Sequence, residues 1–197
     1  MNTRVSTHSL RPLLLVGAAL AFSVGLSAPK AYALDTIIGG MASACAREAK
    51  LGHATDEAIN GCSDALIAEI LTDRDRAATM VNRGTLYLVR QKWDLAMADF
   101  DMAVGLQPRM GEAYVNRGAA LLGMGHLPEA ESQITFGLTL NPELPERAYF
   151  NRAVARWRMD NVKGAYLDFR KALELKPGWE DATKELAYFT VSPAPAR

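Results

Sequence analysis

Apolar and small residues recur at helical spacing through the second half of this chain. From residue 77 to residue 179 they return every three or four positions, which places them on one face of a helix. A short polar turn or a proline interrupts the pattern after each helical stretch, and the stretches come in pairs. The pattern therefore predicts an all-α fold made of helix hairpins.

The pattern also repeats as a block, three times, with steps of 34 and then 35 residues. Met80–Gly84, Tyr114–Gly118 and Tyr149–Ala153 each contain the same Asn-Arg pair. In the later part of each copy, small residues stand where two helices approach closely, a larger residue fills the gap, and a proline ends the second helix. The three sets are Ala96, Phe100, Ala103 and Pro108; Ala130, Ile134, Gly137 and Pro142; and Ala165, Phe169, Ala172 and Pro177.

This arrangement resembles the tetratricopeptide repeat, a helix–turn–helix unit that stacks into a solenoid. The resemblance implies an all-α, right-handed α-solenoid with three repeats over residues 77–178, and residues 34–76 look like a degenerate leading hairpin. Residues 179–190 carry acids early and an apolar side, so they are predicted to form a capping helix over the open end. Residues 191–197 contain two prolines and are predicted to be a disordered tail.

The turns between these units set the expected helix bounds. Thr55 is predicted to cap a helix, because its hydroxyl can accept a hydrogen bond from a first-turn amide. The predicted helices are 38–51 and 56–71 in the leading hairpin, then 78–90, 93–106, 111–124, 128–140, 147–159 and 162–175 in the repeats.

The first 33 residues are predicted to be an export signal outside the fold. Arg4 and Arg11 form a basic start, Leu13–Leu26 is an apolar run, and Ala31-Tyr32-Ala33 has the small-x-small spacing of a cleavage site. The run is shorter than the roughly 20 residues that span a bilayer, so an uncleaved anchor is the less favoured alternative. The sequence predicts an exported bacterial protein, periplasmic or secreted, whose mature chain has no integral membrane segment.

Charge and residue spacing give no support for other classes of function. Removal of residues 1–33 lowers Lys plus Arg from 22 to 19 and leaves Asp plus Glu at 22, so the mature chain is near −3. That charge does not indicate the basic surface that nucleic-acid binding requires. His53 and His126 fall in helix-joining turns, and the sequence has no Ser, His and acid spacing and no glycine loop for a phosphate. We therefore expect no catalytic residue, metal ligand or cofactor.

Cys45 and Cys62 are predicted to form a disulfide. Export places them in an oxidising compartment, and the repeat alignment sets them on facing helices of the leading hairpin. A pair of separate buried thiols is the alternative. A covalent link is useful at this place, because an end repeat lacks a neighbour on one side.

One side of each first helix is predicted to line a groove that binds a partner. The tetratricopeptide family places this side on its concave face, and here it is mostly apolar. An exposed apolar groove usually binds a protein or peptide. Another part of the chain filling the groove is one alternative, and an envelope-assembly or enzyme-accessory role of the convex face is another. The candidate groove residues are Val81, Thr85, Leu88, Val115, Leu122, Arg147, Phe150, Val154 and Trp157.

The Asn-Arg pairs raise the question of a carboxylate clamp. Chaperone-binding relatives of this repeat clamp a peptide's terminal carboxylate with Asn, Lys and Arg, and Asn82, Asn116 and Arg147 match three such positions. Ala78 and Asn151 stand where the other two cations are expected. One cation is too few for charge-assisted binding, so we expect no clamp and expect the Asn side chains to bond between neighbouring helices.

The arginines of the same pairs are predicted to fix helix register. Asp99 lies sixteen residues after Arg83, and Asp168 lies sixteen after Arg152, which sets each acid on the facing second helix. Gln133 takes the equivalent place beside Arg117, so the pair is expected to be weaker there.

We predict cleavage after Ala33, because a basic, apolar and Ala-x-Ala order precedes it. Mass spectrometry of the protein from its native host should find Leu34 at the N-terminus. Recovery of Met1 in a membrane fraction would show instead that the segment is an anchor.

Overall fold

The computed structural model describes residues 3–7 and 40–193. In that part of the chain nine α-helices make up nearly all of the secondary structure, and one pair of strands completes it. The elements are β1 (Thr3–Thr7), α1 (Met41–Leu51), α2 (Asp56–Ala68), α3 (Asp73–Val89), α4 (Trp93–Leu106), α5 (Gly111–Met124), α6 (Leu127–Thr139), α7 (Pro145–Arg158), α8 (Val162–Leu175), α9 (Glu180–Leu186) and β2 (Phe189–Pro193).

The helices stack in chain order. Each helix contacts the next one along the chain, and the first helices α1, α3, α5 and α7 also contact one another in sequence. This is the predicted all-α, right-handed solenoid of tetratricopeptide-type hairpins, closed at its C-terminal end by α9. The prediction of the fold is confirmed, and the short β1–β2 pair is an addition to it.

Small residues allow the two helices of each hairpin to approach closely. A Cβ at Gly84 would lie 2.5 Å from Cε1 of Phe100, and a Cβ at Gly118 would lie 2.4 Å from Cγ1 of Ile134. Both large side chains are completely buried. A side chain at either glycine would force overpacking of the core, which explains the small residue at this position of the repeat.

Two threonines begin helices by capping them. The Oγ1 of Thr55 accepts a hydrogen bond from the amide of Ala58 at 3.1 Å, as predicted. Thr72 does the same for the amide of Asp75 at 3.1 Å, so α3 begins five residues before the predicted start. The repeat alignment set that start and did not detect the cap, although a Thr followed by acids is a helix-start signal.

The leading hairpin contains the predicted disulfide. Cys45 on α1 is joined to Cys62 on α2, and their Cα atoms are 4.8 Å apart. Both cysteines are buried, at 2% and 0% exposure, in a cluster that includes Ile59 and Leu86. The bridge therefore lies inside the interface between the leading hairpin and α3.

The C-terminal segment differs from its prediction. The capping helix is shorter than expected and ends at Leu186, after which the chain forms β2. β2 pairs with β1 in antiparallel register, with Val191 opposite Val5. Residues 191–193, which the sequence assigns to the tail, belong to β2 and pair with β1, and the disordered tail stays a prediction. Residues 194–197 lie outside the described part.

The strand pairing also involves the predicted export signal. Residues 3–7 belong to that segment, and its other residues lie outside the described ones, so the structure leaves cleavage as an expectation. Among the helices of the described ranges, none has the length and apolar content needed to cross a bilayer.

We predict that the disulfide stabilises the fold by about 3 kcal/mol, because it closes a loop with a sequence separation of 17 residues. Urea unfolding with and without a reductant should show this difference in the oxidised protein. The Cys45→Ala, Cys62→Ala double variant is the control, and reductant should not change its midpoint. Identical midpoints for the oxidised and reduced wild-type protein would contradict the prediction.

Candidate functional site

The candidate site lies along the first helices. We call the nine predicted groove residues the inner strip. α3 contacts α5 and α5 contacts α7, so the three parts of the strip adjoin. The Nδ2 of Asn116 donates to the Oγ1 of Thr85 at 3.4 Å, and the Nη1 of Arg158 donates to the carbonyl of Leu122 at 2.9 Å. These bonds join neighbouring repeats directly at strip residues.

The inner strip is not an exposed surface in the full-length chain. Arg147 and Trp157 are half-buried. The other members are buried, with exposures between 0% and 8%: Val81, Thr85, Leu88, Val115, Leu122, Phe150 and Val154. The expectation of a large exposed apolar groove is therefore not met for these seven side chains. Partner binding at the strip stays a prediction.

The C-terminal cap covers the aromatic end of the strip. The ring of Phe150 lies 4.8 Å from the ring of Trp179 between centroids. Trp157 lies 5.8 Å from Tyr188 and 5.9 Å from Phe189. Sequence reasoning did not detect these contacts. The predicted capping helix could have indicated them. A helix after the last repeat lies where the first helix of a further repeat would lie, so it covers the same face.

Asparagines form a column beside the strip, at equivalent positions of the three repeats. Asn82, Asn116 and Asn151 are buried, at 2%, 3% and 5% exposure. The predicted bond between helices is found for Asn116, with Thr85. In contrast, Oδ1 of Asn82 and Nδ2 of Asn151 have no hydrogen-bond partner within the described part of the chain. A buried polar atom without a partner costs about 1–3 kcal/mol, so such atoms call for an explanation.

The charges near the strip are few. Glu112 accepts a hydrogen bond from the backbone amide of Glu143 at 2.7 Å, so it fixes the turn before α7. Ala78 is buried at 9% exposure and carries no charge at one expected clamp position. Arg147 is the one cation among the nine strip residues. The arrangement provides hydrogen-bonding amides and apolar contacts rather than a cationic cradle.

The predicted Arg–Asp pairs are confirmed on the opposite side of the first helices. Arg83 binds Asp99 through two hydrogen bonds of 2.9 and 2.7 Å. Arg152 binds Asp168 in the same manner, with both bonds at 2.8 Å. In the second repeat, where Gln133 replaces the acid, the Nε of Arg117 lies 2.9 Å from the more exposed Asp101.

The electrostatics of the first pair suit a structural role. Burial raises the pKa of Asp99, and the hydrogen bond and charge of Arg83 oppose that rise. The same hydrogen bond raises the pKa of Arg83. Each group therefore has the other as its charged partner. Within the described ranges no cluster of three or more His, Cys, Asp or Glu residues could hold a metal ion.

No family model matches the chain. The human RNA polymerase II-associated protein 3 is 26% identical over 132 residues, which cover 67% of this chain and 20% of that protein. A DnaJ homolog subfamily C member 7 homolog from Dictyostelium discoideum is 29% identical over 98 residues, which cover 48% and 18%. The chain thus spans about a fifth of the length of these relatives.

Solved structures agree with the fold. The Arabidopsis OM64 TPR domain is 26% identical, with a TM-score of 0.55 and coverage of 59% of this chain and 95% of that one. The first TPR of Spaghetti (RPAP3), bound to the HSP90 peptide SRMEEVD, is 27% identical, with a TM-score of 0.55 and coverage of 60% and 94%. The MamA structure shares the fold at 21% identity, with a TM-score of 0.59 and coverage of 76% and 82%. The first two likenesses support the assignment of the repeats to the tetratricopeptide family, and the third shows the same fold.

We predict that Asp168→Asn destabilises the protein by about 3 kcal/mol, because Asp168 is buried and binds both Arg152 and Arg156. Urea unfolding measures the change. Asp101→Asn is the matched control, since that side chain is 51% exposed and its pair with Arg117 should contribute less than about 1 kcal/mol. Equal effects of the two substitutions would mean that the buried pair does not fix the helices.

Proposed function

We propose that this protein is an exported, non-catalytic scaffold that binds an extended segment of a protein or peptide partner along the inner strip. The observation that carries this proposal is that two buried amide atoms, Oδ1 of Asn82 and Nδ2 of Asn151, have no hydrogen-bond partner among the described residues. Asn82 comes three residues before Thr85 and Asn151 three before Val154, so each amide shares a helix face with the strip. An Asn amide has both donors and acceptor, which complement a peptide backbone.

A similar protein supports binding of this kind. The first TPR of Spaghetti (RPAP3) was solved with the HSP90 peptide SRMEEVD. The match, at 27% identity, covers 94% of that domain and 60% of this chain. That peptide is acidic at its C-terminal end. The inner strip here has one cation, Arg147, and Glu112 lies on the same helix faces. We therefore propose that the partner segment is largely neutral and is held through its backbone and apolar side chains.

Because the strip is buried, the proposed binding requires that the strip first becomes accessible. Because Val81, Leu122 and Phe150 are at most 4% exposed, the segment has to displace the contacts that now cover the strip. Binding then includes an opening step, and association should be slower than for a groove that is already open. Apolar burial and hydrogen bonds to the asparagines would supply the affinity.

Export to the periplasm or the exterior is the second part of the proposal. The basic, apolar and Ala-x-Ala order before Leu34 supports it. The Cys45–Cys62 disulfide supports it as well, because such bonds persist in oxidising compartments. A buried structural disulfide would be unusual in a reducing cytosol.

An envelope-assembly or enzyme-accessory role through the convex side is the second candidate. The observation that favours it is a set of large apolar side chains on the second helices, each 44–50% exposed: Leu95, Met102, Phe136 and Leu167. Side chains of this kind on a monomer's surface mark an interaction site when they are contiguous.

A displayed peptide library, selected on the protein that begins at Leu34, tests the proposal. Asn82→Ala and Asn151→Ala should each weaken binding of the selected peptide by roughly fivefold, the equivalent of one hydrogen bond of about 1 kcal/mol. Asn60→Ala is the matched control, because Asn60 is an exposed asparagine on α2. Calorimetry gives the affinities, and thermal unfolding should show that the variants remain folded.

Three results would count against this proposal. Unchanged affinity in folded Asn82→Ala and Asn151→Ala proteins would exclude the strip as the site. Loss of binding on Met102→Ala or Leu167→Ala instead would assign the partner to the convex side. Tight binding of SRMEEVD that disappears when its C-terminus is amidated would contradict a neutral segment.

A further inference from the structure

The first and last described segments form a two-stranded antiparallel sheet. β1 pairs with β2 in a register that sets Thr3 opposite Pro193 and Val5 opposite Val191. β1 also lies against α8. One edge of β2 therefore has a neighbour, and that neighbour belongs to the segment whose removal on export we propose.

The first residue of β2 packs on the solenoid through its ring, and its backbone also pairs with Thr7 of β1. Phe189, its first residue, is 8% exposed, and its ring lies 5.8 Å from Phe169 and 5.9 Å from Trp157 between centroids. Trp179 anchors the preceding helix on Phe150 at 4.8 Å. These contacts all lie between residues 150 and 189, so removal of residues 1–33 leaves them in place. Phe189 then stays anchored, whereas the residues after it lose β1, the element with which β2 makes its main contacts, so β2 has to form again on the strand that replaces β1.

The register indicates which pairs exchange hydrogen bonds. Opposite residues in an antiparallel sheet alternate between hydrogen-bonded and non-hydrogen-bonded pairs. Pro193 has no N–H, so its pair with Thr3 fits the non-hydrogen-bonded kind. Val5 and Val191, two positions further along, are then of the same kind.

By this alternation, the remaining inner pairs are expected to be the hydrogen-bonded ones. They are Arg4 with Ser192 and Ser6 with Thr190. The backbone amides of Arg4 and Ser6 therefore point toward β2, whereas the amide of Val5 points away. Loss of β1 leaves backbone donors and acceptors of β2 without partners along that edge, which is a template for another strand.

We propose that, in the processed protein, this vacated edge of β2 binds an extended segment of a protein partner as an antiparallel strand. The inference rests on the proposed export, because cleavage after Ala33 is what vacates the edge. The strand seen there, Thr-Arg-Val-Ser-Thr, defines the chemistry of the occupant. It is a segment of about five residues, rich in β-branched residues, without proline, whose backbone supplies most of the affinity.

NMR titration of residues 34–197 with a synthetic peptide of residues 1–9 tests this inference. Shifts of the amides of Thr190 and Ser192 should report binding. N-methylation of the peptide at Arg4 or Ser6 should weaken binding about tenfold, because it removes a backbone hydrogen bond and blocks strand approach. N-methylation at Val5 is the matched control and should have little effect.

Variants of the protein complete the test. The full-length chain, which already holds β1, should not bind the peptide, and a chain ending at Phe189 should lose binding while it remains folded. Asn82→Ala, which tests the inner strip, should bind the strand peptide with unchanged affinity. Because the purified protein starts at Leu34, recovery of Met1 from the native host would defeat the proposed export without altering this result.

Several outcomes would overturn the inference. They are the absence of binding, an equal loss for all three N-methylated peptides, and binding to the full-length chain as strong as to residues 34–197. Sedimentation of residues 34–197 as a dimer that the chain ending at Phe189 does not form would also overturn it, since a second copy would then occupy the edge.

Discussion

The structure depends on the close approach of the two helices within each hairpin. Gly84 lies under Phe100 and Gly118 under Ile134, with space too small for a Cβ atom. Ala153 and Phe169 pack in the same core cluster of the third hairpin, and both are completely buried. This packing fixes the distance and register of the helices. The position of every first helix, and hence of the inner strip, follows from it.

Buried polar residues fall into two groups with different consequences. The carboxylates of Asp99 and Asp168 are matched by guanidinium groups through paired hydrogen bonds, so their burial holds helices in register. Among the described residues, Oδ1 of Asn82 and Nδ2 of Asn151 have no hydrogen-bond partner, and both asparagines lie beside the strip. Folding gains nothing from such atoms. Their position beside the strip is the reason that we place recognition there rather than at the charged pairs.

The two ends of the solenoid are protected by different means. At the N-terminal end, the Cys45–Cys62 bridge joins the two helices of a hairpin whose helical neighbour in the described part of the chain is α3. At the C-terminal end, Trp179 and Phe189 pack on the last repeat and cover its aromatic side chains. The second solution has a further result. It leads the chain out of the core into β2, which pairs with β1.

The sequence by itself determined the repeats, most helix bounds, the disulfide and the two Arg–Asp pairs, because each depends on spacing within one hairpin. Arg83 and Asp99, for example, meet because sixteen residues bring facing helices together. Only the tertiary structure decided that the inner strip is buried and that residues 3–7 pair with β2. It alone also showed that Oδ1 of Asn82 has no hydrogen-bond partner in the described part of the chain. These features arise between repeats or between distant segments. Solvent access and strand pairing depend on how neighbouring units pack, and no single repeat encodes that.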